Sequence, residues 1–140
     1  MNQQQNFGPP ERPTMARIRT VKPEFWTDEV VGECSPIARL LFIGTWNIAD
    51  DHGNLQRSAK QIKAQLFPYD NLDCDALLAE LIEHELLIEY ESEGKKYLHI
   101  KGFEKHQKVE KKSAPRFPLY DESDSPPRAL PEPSPTSSGS

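Results

Sequence analysis

Lysines crowd one end of this sequence. Between residues 95 and 116 stand eight Lys or Arg against two acids, a local balance of +6 in a chain of formal net charge -5. The adjoining stretch 70–93 is the reverse, with nine acids and no Lys or Arg. A dense cationic run suits ion pairing with a polyanion, where released counterions drive association. The candidate phosphate contacts are Lys95, Lys96, Lys101, Lys105, Lys108, Lys111 and Lys112, with Arg116 beyond them. Arg17, Arg19 and Lys22 form a second basic group near the start, and Arg57, Lys60 and Lys63 a third in mid-chain. The competing explanation is local: the acids could pair with the lysines and do no more than screen one another.

Bond-making chemistry finds little here. The sequence has no GxxxxGK[ST], no HExxH and no nucleophile elbow, so it reads as a non-enzyme without a cofactor. Cys34 and Cys74 are far apart, and His52, His84, His99 and His106 are scattered, so no metal site is expected. Asp50–Asp51 looks like a carboxylate pair, but Gly53 follows at once, which fits a turn or cap better than acid–base work. Phe25 and Trp26 could stack on bases, although aromatics so placed more often anchor an arm to a core.

The elements that must position these groups follow from periodicity. Ser35 as cap and Pro36 at the first turn open a helix in which Ile37, Leu40, Leu41, Gly44 and Ile48 share a spacing. A short strand near Gly53–Asn54–Leu55 follows. Ser58 opens a second helix that Pro68 stops, and Asp73 opens a third whose apolar stripe is Leu77, Leu78, Leu81 and Ile82. The period then switches to two. Ile88 and Tyr90 are expected to face inward opposite Leu98 and Ile100, across a turn at residues 92–95, with Tyr97 and His99 outward. Helix, strand, helix, helix and hairpin make an α+β fold, a winged helix-turn-helix with three main helices and a C-terminal wing. Its expected extent is 16–113. Residues 1–15 and the Pro/Ser-rich 114–140 read as disordered tails. No apolar run approaches the roughly 18 residues of a membrane span, and no leader pattern opens the chain, so a soluble cytoplasmic protein is expected.

Four stretches, RIRTVKPEFWTDE (17–29), SPIARLLFIGTWNIADDHGNL (35–55), IKAQLFPYD (62–70) and FEKHQKVEKKS (103–113), resemble phage and prophage replication initiators of the replisome-organiser type. That resemblance implies an N-terminal winged helix that binds origin DNA and recruits host replication or helicase-loading proteins. Longer members carry a further C-terminal domain, whereas a short Pro/Ser-rich segment stands here.

The residues themselves argue against the usual docking mode. A recognition helix at 73–85 would offer the major groove Asp75, Glu80, Glu83 and His84, with no Arg, Lys, Asn or Gln to read base edges. The expectation is therefore duplex DNA held by its phosphates, with little sequence readout, through the wing, the segment after it and the N-terminal arm. The alternative is a protein-interaction module in which Asp75, Glu80 and Glu83 dock or inhibit a basic host protein.

Overall fold

Ser35 Oγ accepts the Ala38 amide at 3.3 Å, and Pro36 occupies the first turn behind it. This cap starts the principal helix of a structure that, as a computed structural model, describes residues 16–121. The elements are a 3₁₀ turn over Pro23–Thr27, α1 (Glu29–Gly32), α2 (Pro36–Ile48), β1 (Asn54–Gln56), α3 (Ala59–Leu66), α4 (Cys74–Glu83), β2 (Leu87–Ser92), β3 (Lys95–Ile100) and α5 (Phe103–His106). Ser58 and Asp73 cap α3 and α4 through their side-chain oxygens, as their residue types favour. The arrangement is α+β, with one antiparallel sheet in the order β1-β3-β2.

The core lies between the helices and one face of this sheet. Leu41, Leu78, Leu81 and Leu98 are wholly buried there, each contributing about 1.5–3 kcal/mol of hydrophobic stabilisation. On α2 the buried residues are Ala38, Leu41, Phe42, Thr45 and Trp46. The stripe expected through Ile37 and Leu40 is displaced, and these two are 44% and 54% exposed. The helix is apolar on nearly every side, so periodicity alone did not mark the face that meets α4.

The hairpin contains a second correction. Leu87 pairs with Ile100 and Glu89 with Leu98, whereas Ile88 opposes His99 and Tyr90 opposes Tyr97. Side chains alternate faces along a strand, so Ile88 and Tyr90 lie opposite to the face carrying Leu98 and Ile100. The expected register was one residue out. The β2–β3 turn has positive φ at both Glu93 and Gly94, the two-residue type I′ geometry that matches strand twist.

Gly53 closes the other end of the sheet at a φ of +82°, where an added Cβ would stand 2.7 Å from Phe103. Only glycine lets α5 approach so near. Beyond α5, residues 113–121 run back across the outer face of the sheet and pack there, so the ordered unit extends past the expected limit at 113. Of the stretches expected to be disordered, 1–15 and 114–140, residues 1–15 and 122–140 lie outside the described residues. Among the described residues no helix is long and apolar enough to cross a membrane.

Candidate functional site

Two basic segments separated by about ninety residues of sequence lie side by side. Residues 17–22 form an arm, held to α2 by Arg17 N donating to Asn47 O at 2.8 Å and Asn47 Nδ2 donating to Arg17 O at 2.6 Å. The arm meets the segment after α5 through buried Gln107. Its Nε2 donates to Thr20 O at 2.8 Å, and its Oε1 accepts from Thr20 N at 2.9 Å. A side-chain amide thus replaces a strand partner, satisfying both backbone groups of Thr20.

Between the arm and the segment after α5 opens a groove of about 550 Å³, whose lining includes Arg17, Lys22, Lys108 and Lys111. Thr20, His106, Glu110 and Ser113 also contribute, with Arg19 and Asp51 beside them. Lys22 Nζ donates to Lys105 O at 3.0 Å, which keeps its ammonium beside the groove. Arg17 Nη2 donates to Ser113 Oγ at 2.8 Å. The sequence placed these cations in two distant groups, and the fold makes them one surface.

Arg19 is not part of that exposed surface. Its Nε donates to Trp46 O at 2.8 Å, its Nη2 to Ala49 O at 3.0 Å and Asp50 O at 3.2 Å, and its Nη1 to Asp51 Oδ1 at 3.2 Å. The guanidinium also lies 5.0 Å over the Phe103 ring. It closes off carbonyls at and beyond the C-terminus of α2, a structural role for a residue expected to touch phosphate.

The remaining basic candidates divide clearly. Lys95, Lys96, Lys105, Lys108 and Lys111 are exposed, and none forms an ion pair within 4.0 Å among the described residues. Lys112 is held by Glu104 at 2.6 Å, and Lys101 lies 3.9 Å from Glu85. The Lys112 hydrogen bond and charge hold the Glu104 carboxyl below its usual range. Lys60 and Lys63 sit on α3 and do not line the groove. Arg57 lies between Asp75 and Glu89 at 2.8 Å from each; its Nε is off line for a hydrogen bond to Glu89 but close enough for charge attraction.

The acidic helix is less available than its composition suggested. Glu80 accepts from Ser35 N at 2.6 Å and from Ser35 Oγ at 3.0 Å, tying α4 to the start of α2. Asp75 is engaged by Arg57, and Glu83 is exposed. The exposed positions of α4 are Asp75, Ala76, Ala79 and Glu83, with no cation among them.

Asp50 and Asp51, both buried, organise this end of the molecule. Asp50 Oδ1 accepts from His52 N and Asn54 N, the turn role expected of it. Its Oδ2 also accepts from Arg116 N at 3.1 Å, while Asp51 Oδ2 accepts from Ser113 N and Oγ, each at 2.9 Å. Burial disfavours the charged Asp51 carboxylate, but the Ser113 hydrogen bonds, Arg19 and nearby Arg17 outweigh it and hold its pKa below the usual value.

Sequence reasoning missed what Asp51 secures. Residues 113–121 form a strap in which Tyr120 stacks on His99 at 4.5 Å, Phe117 meets Tyr97 at 6.1 Å, and Pro118 O accepts from Tyr90 Oη at 2.6 Å. The available signal was Phe117–Pro118–Leu119–Tyr120, an aromatic pair within a segment dismissed for its prolines. Phe25, by contrast, anchors the arm as expected, stacked 6.3 Å from Phe42 and edge-on to Trp46 at 5.4 Å.

Cys34 and Cys74 are buried, which together with nearby acids raises both thiols and disfavours the reactive thiolate. Among the described residues no group of three or more His, Cys, Asp or Glu is arranged to hold a metal ion. No protein-family model matches the chain, and neither a curated protein nor a solved structure matches it.

Proposed function

We propose that this chain is a winged-helix module that binds duplex DNA by its phosphates, in the replication machinery of a phage or prophage. The observation that carries the reading is the groove, where Arg17, Lys22, Lys108 and Lys111 converge from two segments distant in sequence. Lys95 and Lys96 at the hairpin tip and Lys105, whose carbonyl accepts from Lys22 Nζ, are further exposed cations outside the groove lining. Four to six cations of this kind grip a regularly spaced polyanion without reading bases. The absence of cations from the exposed face of α4 supports binding through arm and wing rather than a helix in the major groove. The replication setting rests on the sequence resemblance described above, and recruitment of helicase-loading proteins belongs to the same proposal.

The test is charge reversal at Lys22, Lys108 and Lys111 together, all exposed and outside ion pairs. Fluorescence anisotropy with a labelled duplex should show binding to every sequence lost alike, with circular dichroism unchanged. Parental affinity in that triple variant would refute the groove as the DNA site.

A further inference from the structure

A strip of flat rings lies under the strap. Alternation along β2 and β3 puts Tyr90, Tyr97 and His99 on the sheet face away from the core, with Lys95 on the same side at its exposed end. The rings of Tyr90 and Tyr97 stand 5.6 Å apart. His99 Nδ1 lies 2.7 Å from Asn54 Oδ1, a hydrogen bond that fixes the imidazole plane. The strap lays its own rings upon this surface, with the planes of Tyr120 and His99 only 18° apart.

From this geometry we infer that the outer sheet face is a stacking platform for unpaired bases of single-stranded nucleic acid, occupied by the strap until a strand displaces it. The ligand class follows from the chemistry. Planar rings, amide groups from Asn54 and Gln56 and an ammonium from Lys95 suit a base and its phosphate, because every base has a π-face to stack. A sheet presenting aromatic side chains in this way is a known solution for single strands.

The strap is held over the platform by ring contacts and at its root by hydrogen bonds to buried carboxylates. Across the platform it has neither helix nor strand, and Leu119 is 60% exposed. Tyr90 Oη donates to Pro118 O and so ties the middle of the strap to the sheet. At the root, Ser113 makes two bonds to Asp51 and also lines the groove. The root of the strap therefore borders the groove, and the strap can lift from the platform while that root stays bound. This site is distinct from the duplex-binding groove and stands or falls separately.

The experiment compares full-length variants by anisotropy with labelled oligo-dT and with a labelled duplex. Phe117→Ala combined with Tyr120→Ala removes the competing rings and should tighten oligo-dT binding about tenfold. Tyr90→Phe keeps every ring but deletes the bond to Pro118, and should tighten it about three- to fivefold even if the double variant folds poorly. Adding Tyr97→Ala to either should reverse the gain, with duplex affinity unchanged throughout. The groove triple variant should lose duplex binding while the response of oligo-dT to Tyr90→Phe persists, which separates failure of one site from failure of the other. Natively folded Tyr90→Phe protein that binds oligo-dT no more tightly than the parent, or a gain that survives Tyr97→Ala, overturns the inference.

Discussion

Arg19 and Asp51 meet at 3.2 Å with side chains only 6% and 5% exposed. The pair connects three parts of the chain, because Arg19 belongs to the arm and also binds carbonyls at the end of α2, while Asp51 holds Ser113 at the root of the strap. Breaking a buried pair leaves its partner charged and desolvated, which costs about 3–5 kcal/mol. Arg19→Met should therefore lower the urea midpoint severely. Arg17→Met should cost under about 1 kcal/mol, since Arg17 is 41% exposed and 3.7 Å from the same carboxylate. Equal losses in the two variants would refute this division between a structural and a ligand-facing arginine.

The same carboxylate makes stability depend on acid. Folding lowers the Asp51 pKa below the ordinary 3.8, so the unfolded chain takes up the proton first as pH falls. Its contribution is present above that ordinary value and is lost progressively as pH drops through the lower folded value. Asp51→Asn should be less stable than the parent at pH 7, with the difference narrowing below about pH 4. Urea denaturation across that range checks this, and a gap that widens on acidification would have the wrong sign.

Local chemistry made much of this fold legible in advance. Ser35, Ser58 and Asp73 are caps whose effect reaches only two or three residues, and the turn at Glu93–Gly94 is equally local. The β2 register was not legible, because Leu87, Ile88 and Tyr90 can each be buried and the alternation reads either way. Arg17 and Arg19 share a residue type and a neighbourhood, and only the remote carbonyls of Trp46 and Ala49 separate them. For the strap, Asp51 meets Ser113 across 62 residues, a pairing that no local pattern encodes. The groove was legible as charge but not as shape, since the arm and the segment after α5 are joined by the side chain of Gln107.

The proposed duplex binding through the groove makes a quantitative claim about salt. With Arg17, Lys22, Lys108 and Lys111 each neutralising a phosphate, log affinity for duplex should fall against log salt with a slope of about -4. Lys111→Ala should reduce that slope by about one and weaken all sequences alike. Lys60→Ala and Lys63→Ala, on α3 away from the groove lining, should leave it unaltered. A slope that responds to the α3 lysines but not to Lys111 would move the contact surface elsewhere.

Glu85 ends α4 in a left-handed conformation, φ 62°, while Leu86 N donates to Leu81 O at 3.0 Å to close the terminus. Glycine is the usual residue at such a position because a Cβ crowds the neighbouring carbonyl there. The Glu85 side chain offers little in return, as its pairing with Lys101 at 3.9 Å is exposed on both sides. Relief of the strain competes with the greater freedom of glycine in the unfolded chain, and at a left-handed position the relief is larger. Glu85→Gly should raise stability by about 0.5–1 kcal/mol, read as a higher urea midpoint at constant slope. A lower midpoint would mean that the Lys101 contact outweighs the backbone strain.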